Sequence, residues 1–131
     1  MSTYRWLTQP EVKILLPHQL NGSLDVLELN GDLGWQDNDG YNLWLPEGWR
    51  WNGSSIPQFV WPLIGHPLTP SFLYASALHD AGCRAQNEPS SKVHKRFYYG
   101  LRASGVSWRV AYTKYAMVRE FGPEFPGFIY P

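Results

Sequence analysis

The segment TPSFLYASALHDAGCRA, residues 69–85, decides the fold that we expect for this chain. Thr69 is a favourable helix N-cap and Pro70 suits the first helical position, so a helix is predicted to begin here. Almost all of its middle is small or apolar, which leaves no wide polar face for water and predicts a buried helix. This helix carries the adjacent residues His79 and Asp80 into or beside the core.

The His79-Asp80 pair is the sharpest functional signal in the sequence. Burying an imidazole and a carboxylate costs free energy unless both groups find partners. The pair therefore predicts a hydrogen-bond network, a metal site or a catalytic site. His79 and Asp80 are our candidate catalytic residues.

Composition narrows the class of protein. The chain has 131 residues with 44% hydrophobic content, which predicts a single domain over 1–131. The 11 basic and 11 acidic residues give a formal net charge of +0, so charge implies neither a nucleic-acid nor a membrane partner. The lone cysteine, Cys83, cannot form an intramolecular disulfide, and no apolar run is long enough for a signal peptide or a membrane span. We expect a soluble protein.

The first part of the chain, residues 1–50, is predicted to be mainly β. Residues 12–16 and 24–29 have strand-like patterns, and apolar alternation resumes between Leu33 and Leu45. The acidic segment 37–40 (DNDG) resembles the start of a calcium loop but lacks the glutamate that would complete it, so it predicts a hairpin turn. A small antiparallel β-meander is the simplest outcome.

Residues 51–69 form an aromatic loop that is too rich in Gly and Pro for a long regular element. We expect it to pack over the helix that carries His79, because its Trp and Ile side chains need cover. Residues 70–122 are predicted to hold three helices. The second covers Lys92–Ala103, and the third begins after Ser107 and ends near Glu120. The fold class is therefore α+β, a small N-terminal antiparallel β-meander followed by three packed helices.

Four segments in this order resemble a known family: NGSSIPQFVW (52–61), ALHD (77–80), the helix at 92–105, and YAMVREFG (115–122). Together they are similar to the phage and prophage family called domain of unknown function 1353 (DUF1353), over roughly the last two-thirds of the chain. The resemblance implies a small bacteriophage-type protein without an established biochemical role. It also implies residence in the cytoplasm of the infected bacterial host or association with the virion.

The resemblance further implies that the aromatic loop, the His-Asp pair and the second helix contribute to one site. By position these residues are Asn52, Ser55, His79, Asp80 and His94. The family usually has Asp where Asn52 and His94 stand, so hydrolysis that depends on those two carboxylates is not expected here. Two aromatic residues beside or within the same loop, Trp51 and Trp61, join Asn52 and Ser55 as candidate binding residues.

Three chemistries remain open for the pair. In a phospholipase-like hydrolase, His79 would be general base on a water and Asp80 would help to hold a metal. An HD-type phosphohydrolase would use the pair directly as metal ligands, but both enzymes need a later Asp and none follows Asp80. In the third, His79, Cys83 and His94 bind zinc or another divalent metal, with Asp80 or Asn52 as a further oxygen ligand, because His79 and Cys83 are four residues apart on one helical face.

Two non-catalytic alternatives remain beside these, and the sequence does not decide whether the protein is an enzyme. In one, the pair hydrogen-bonds the backbone of residues 54–56 and fixes the loop to the core. In the other, a Trp-rich surface binds a phage protein, a host protein or a small ligand. The tryptophans of that surface would be Trp35, Trp44, Trp49, Trp51 and Trp61.

Overall fold

The computed structural model describes residues 4–38, 40–53 and 72–127. Contacts divide the chain into two compact units, Met1–Asn52 and Gly53–Pro131, and each is described by itself. Strands fill the first unit and helices the second, so the predicted α+β class and the order of its elements are confirmed. The single domain over 1–131 stays a prediction.

Strands of the first unit form two antiparallel sheets rather than one meander. One sheet has the order β1-β4-β5 and the other β2-β3-β6, so strands that follow each other in the chain are often not paired. The segment 31–32 takes the chain from one sheet to the other, which the alternation of apolar residues alone does not reveal. The strands are β1 (Arg5–Trp6), β2 (Glu11–Ile14), β3 (Leu27–Asn30), β4 (Leu33–Gln36), β5 (Asn42–Leu45) and β6 (Arg50–Trp51).

The predicted hairpin turn connects β4 and β5. Asp37 N–H donates to Tyr41 O at 2.8 Å, and Gly40 N–H donates to Asp37 O at 3.0 Å. The Asp37 side chain accepts a hydrogen bond from Trp35 Nε1 at 2.6 Å. The two backbone bonds confirm the predicted turn. The Asp37 carboxylate also satisfies the buried N–H of the Trp35 indole.

A short helix, α1 (Pro17–Leu20), was not predicted. Pro17 reads as the end of a strand in the sequence, but proline also suits the first turn of a helix. Here the Gln19 side chain accepts a hydrogen bond from Leu16 N–H at 2.9 Å, which stabilises that turn.

Three helices of the second unit match the prediction: α2 (Leu73–Ala85), α3 (Ser90–Ala103) and α4 (Trp108–Phe121). The predicted N-cap is confirmed at α4, where the Ser107 side chain accepts from Val110 N–H. The predicted start of the first helix at 69–70 lies outside the described residues. Within the described ranges, no helix combines the length and the hydropathy that a bilayer crossing requires.

The core of the helical unit lies between the three helices. Its buried members are Phe72, Ala75, Phe97, Leu101, Ala111 and Val118. The apolar residues Val93, Phe97 and Leu101 recur at helical spacing along α3, which predicts one buried stripe, and all three are buried. The sequence spacing of Trp108 and Tyr112 with Ala111 and Val118 predicts one buried side of α4, but Trp108 and Tyr112 are 57% and 50% exposed. Ala111 and Val118 are the buried residues of α4 and face the core. Trp108 and Tyr112 lie to one side of the line that joins them.

A buried histidine pair between two helices

Helices α2 and α3 approach each other closely at Gly82. A Cβ atom on this residue would lie 2.7 Å from Val93 Cγ1 and 3.0 Å from Val93 Cγ2, which is too close for a stable contact. The missing side chain therefore permits the approach. His79 precedes Gly82 by about one turn, and His94 follows Val93, so their imidazoles face each other across the contact.

Both imidazoles belong to one directional chain of hydrogen bonds. His79 Nε2 lies 2.8 Å from His94 Nδ1, and His94 Nε2 lies 3.0 Å from Pro123 O. Because a carbonyl oxygen only accepts, His94 must donate through Nε2. A neutral His94 then accepts at Nδ1, and His79 donates to it through Nε2. The Pro123 carbonyl thus fixes the tautomer of both rings.

The electrostatics of the pair favour the same neutral state. Burial, with a smaller contribution from the neighbouring His94, lowers the pKa of His79 to about 3. Burial also lowers the pKa of His94, against the opposing effects of Pro123 O and Glu124. The side chains of His79 and His94 are 0% and 2% exposed, so neither ring gains the hydration that a charged imidazolium requires. At neutral pH both rings are uncharged.

Asp80 is buried as predicted, with 2% of its surface exposed. Its Oδ2 atom lies 2.6 Å from Arg84 Nη2, one turn later on the same helix. The opposite charge of Arg84 compensates the burial of this carboxylate. The two members of the His-Asp pair are therefore both buried, and each has its own charged or polar partner, His94 for His79 and Arg84 for Asp80.

The predicted metal centre does not form among the described residues. Helix α2 continues through Cys83, whose sulfur lies 3.9 Å from His79 Nδ1 and 3.8 Å from His79 Nε2. The 2.8 Å between His79 Nε2 and His94 Nδ1 is a hydrogen-bond distance, whereas two imidazole nitrogens on tetrahedral zinc are about 3.3 Å apart. In the ranges 4–38, 40–53 and 72–127, no three His, Cys, Asp or Glu residues are placed to hold a metal ion. Metal coordination by His79, Asp80, His94 and Cys83 is thus not supported.

The candidate binding residues are distributed differently. Asn52 belongs to the first unit, where its Nδ2 donates to Leu24 O at 3.3 Å. Trp51, like Trp35, is fully buried and does not contribute to an exposed contact surface, whereas Trp44 is 53% exposed. Ser55, Trp61 and the predicted packing of the aromatic loop lie outside the described residues.

A pocket next to His94 was missed by the sequence analysis. Its volume is about 450 Å³, and its described lining residues are Ser90, Ser91, His94, Arg119, Glu124, Phe125 and Pro126. One wall is the segment after α4, which Ser90 holds by two hydrogen bonds: its N–H donates to Phe125 O at 2.9 Å, and its Oγ accepts from Phe125 N–H at 3.2 Å. In the sequence, His94 indicates a site in this place. The segment that begins with Gly122 and Pro123 is typical of a surface tail, so its role as a pocket wall was not predicted.

Comparison with known proteins identifies the family. A model described as "Protein of unknown function (DUF1353)" matches residues 27–118, which is well over half of the chain. The chain belongs to the DUF1353 family. The matched range includes His79 and His94. It ends before residues 123–126, which form one wall of the pocket.

Two uncharacterised proteins of Sinorhizobium fredii (strain NBRC 101917 / NGR234) are similar to this DUF1353 chain. The protein y4jT is 37% identical over 100 residues, which are 76% of the chain and 30% of y4jT. The protein y4iH is 29% identical over 112 residues, which are 86% of the chain and 43% of y4iH. The chain therefore spans less than half the length of either relative. No solved structure matches it.

Proposed function

We propose that this DUF1353 chain is a non-catalytic binding protein whose helical unit holds a short zwitterionic ligand, such as an amino acid or a peptide segment. The observation that carries the proposal is the pocket beside His94, which has Arg119 and Glu124 among its lining residues. Its volume of about 450 Å³ lies in the usual range for small-ligand sites.

Each lining group has a counterpart in such a ligand. The Arg119 guanidinium, which is charged at neutral pH, would pair with a carboxylate in exchange for its exposed contact with Glu120 at 3.4 Å. The Glu124 carboxylate would pair with an ammonium group. Phe125 and Pro126 offer apolar surface for a side chain, while His94 provides an uncharged floor.

Solvent exposure and basicity disfavour the hydrolase alternative. A general base must reach the proton of a water or a substrate, and His79 is 0% exposed. Its pKa of about 3 also makes it a weak base at neutral pH. The outer nitrogen of His94 is occupied by the Pro123 carbonyl. These facts support a structural role for the histidine pair behind a binding pocket.

Titration with defined probes, followed by ¹H–¹⁵N NMR, tests the proposal. Glycine, phenylalanine and the dipeptide Gly-Phe are added to the ¹⁵N-labelled protein. We expect saturable shifts at residues 90–94 and 119–126, at least tenfold weaker binding in Arg119→Ala and in Glu124→Gln, and native binding in the control. The control is Arg109→Ala, which removes the same charge from α4 outside the lining of this pocket.

Two outcomes would overturn the proposal. One is the absence of shifts with all three probes at 20 mM. The other is equal binding by the native protein and both pocket variants, since the ligand would then bind elsewhere.

The expected link to a bacteriophage is part of the same proposal and rests on the family resemblance. It predicts that transcription of the gene rises with phage or prophage genes after induction of the lytic cycle. Mass spectrometry of purified particles then separates the two expected locations, because a virion component is retained in the particles and a factor of the host cytoplasm is not.

A further inference from the structure

The formal net charge of +0 conceals a strong asymmetry. Residues 1–52 contain three Lys or Arg and seven Asp or Glu, whereas residues 53–131 contain eight Lys or Arg and four Asp or Glu. The helical unit therefore has a formal charge of +4 and the strand unit one of −4. The basic charge of the helical unit comes mainly from α3 and α4, which suits an anionic partner.

Aromatic residues of α4 lie on one exposed side of the helix. Trp108, Tyr112 and Tyr115 are separated by four and three residues, so they share a face of about two turns. Trp108 and Tyr112 are 57% and 50% exposed. The rings of Tyr112 and Tyr115 are in contact, with their centroids 5.9 Å apart.

A matching stripe on α3 continues this surface. Lys95, Tyr98 and Arg102 are separated by three and four residues and therefore share a face of that helix. The rings of Tyr98 and Tyr115 join the two stripes, with centroids 6.1 Å apart. We call the six residues Lys95, Tyr98, Arg102, Trp108, Tyr112 and Tyr115 the basic-aromatic face.

Cations are held beside these rings. Arg109 Cζ lies 5.4 Å from the centroid of the Trp108 ring, and Arg102 Nη1 donates to Val106 O at 3.0 Å. In the part of the chain that the structure describes, Lys95, Arg102 and Arg109 form no salt bridge with a carboxylate. The charges of these three residues are thus available to an anionic partner, and that of Arg109 lies next to a flat aromatic ring.

We propose that the basic-aromatic face binds single-stranded nucleic acid. Bases stack on exposed aromatic rings regardless of sequence, and neighbouring cations pair with the phosphates. An acidic peptide would also use the cations, but only nucleic acid presents a stacking ring with every anionic group, which suits the exposed rings of Trp108 and Tyr112. The combination of rings and cations therefore favours nucleic acid. The face adjoins the proposed pocket through Arg119, which hydrogen-bonds the Tyr112 and Tyr115 side chains, but none of its six residues lines that pocket.

Fluorescence anisotropy with a fluorescein-labelled dT12 oligonucleotide tests the proposal at 25 to 200 mM NaCl. We expect the logarithm of affinity to fall with the logarithm of salt concentration with a slope of about −2 to −3, since three to four cations would contact phosphates. Trp108→Ala is expected to weaken binding at least about fivefold, because one stacking platform is lost. Arg109→Gln should reduce the magnitude of the salt slope by about 0.7.

Two controls keep the result specific. Phe121→Ala removes an aromatic residue that is 48% exposed on the opposite side of α4, and Lys13→Gln removes a cation from the acidic unit. Both should bind dT12 like the native protein, and circular dichroism verifies that each variant is folded. Affinity that is unchanged in folded Trp108→Ala would overturn the proposal. A labelled octaglutamate peptide that binds as tightly as dT12, with the same loss in Trp108→Ala, would also overturn it and assign the face to acidic peptides.

Discussion

His79 Nε2 donates a hydrogen bond to His94 Nδ1 at 2.8 Å, and the two side chains are only 0% and 2% exposed. The bond requires His94 to be neutral, because a protonated His94 would direct a second N–H at its donor. Burial separately disfavours a charge on His79, so the pair is stable between the two helices when both rings are neutral. Its contribution to stability therefore depends on pH and is larger when both rings are neutral.

We expect the protein to lose stability as the pH falls from 7.5 to 5.5. The pKa of His79 is about 3 in the folded state and about 6.5 in the unfolded chain, so the unfolded chain binds more protons and stability rises with pH. Over this range His79 alone contributes about 1 to 1.5 kcal/mol. Urea denaturation at a series of pH values measures this contribution. If the free energy of unfolding changes with pH by the same amount in the native protein and in His79→Gln, the assignment to His79 is contradicted.

We expect Gly82→Ala to lower the free energy of unfolding by about 1 to 2 kcal/mol, although alanine usually favours a helix. The new Cβ would meet Val93 Cγ1 at 2.7 Å, and overpacking outweighs the gain in helix propensity. Urea denaturation measures the loss, and the double variant Gly82→Ala/Val93→Ala is the control. If Gly82→Ala lowers the free energy of unfolding by the same amount in the native protein and in the Val93→Ala variant, the contact with Val93 is not the cause.

The sequence predicted the helices well because local signals decide them. Ser107 and the spacing of Val93, Phe97 and Leu101 define α3 and α4 without reference to any distant residue. The burial of His79 and Asp80 also followed from the apolar neighbours on α2. These elements depend on capping and periodicity, which a single sequence displays.

Pairing between distant residues was not predictable in the same way. The division of the strands into two sheets depends on which edges meet, and apolar alternation is the same in either arrangement. The partner of His79 depends on the crossing of two helices at Gly82, a glycine that reads in sequence as a helix end. The pocket wall at 123–126 is held by hydrogen bonds of Ser90 and His94, which no local pattern displays.

We expect zinc and chelators to leave the stability of the protein unchanged within about 0.5 kcal/mol. A ligand that binds only the folded state would raise the free energy of unfolding. Here the facing nitrogens of His79 and His94 are occupied by their own hydrogen bond, so neither offers a lone pair to zinc. Urea denaturation with one equivalent of zinc and with EDTA measures the effect. About one zinc per untagged chain, lost in both His79→Gln and His94→Gln, would contradict this prediction and restore the metal site.

A strong charge effect on stability is expected at the ion pair between Glu88 and Arg96. Arg96 is 4% exposed, and its Nη1 and Nη2 atoms donate to the two carboxylate oxygens of Glu88 at 2.8 and 3.1 Å. These hydrogen bonds lower the pKa of Glu88. Glu88→Gln should lower the free energy of unfolding by about 2 kcal/mol, because it leaves a buried guanidinium without its counter-charge.

Lys92 provides a matched control on the same carboxylate. Its Nζ lies 3.2 Å from Glu88 Oε2, but its side chain is 51% exposed, so Lys92→Met should cost less than about 0.5 kcal/mol. Arg96→Met should cost less than Glu88→Gln, since Glu88 keeps some solvent and its contact with Lys92. Urea denaturation of the three variants gives the order. Equal losses in Glu88→Gln and Lys92→Met would show that burial does not set the strength of this pair.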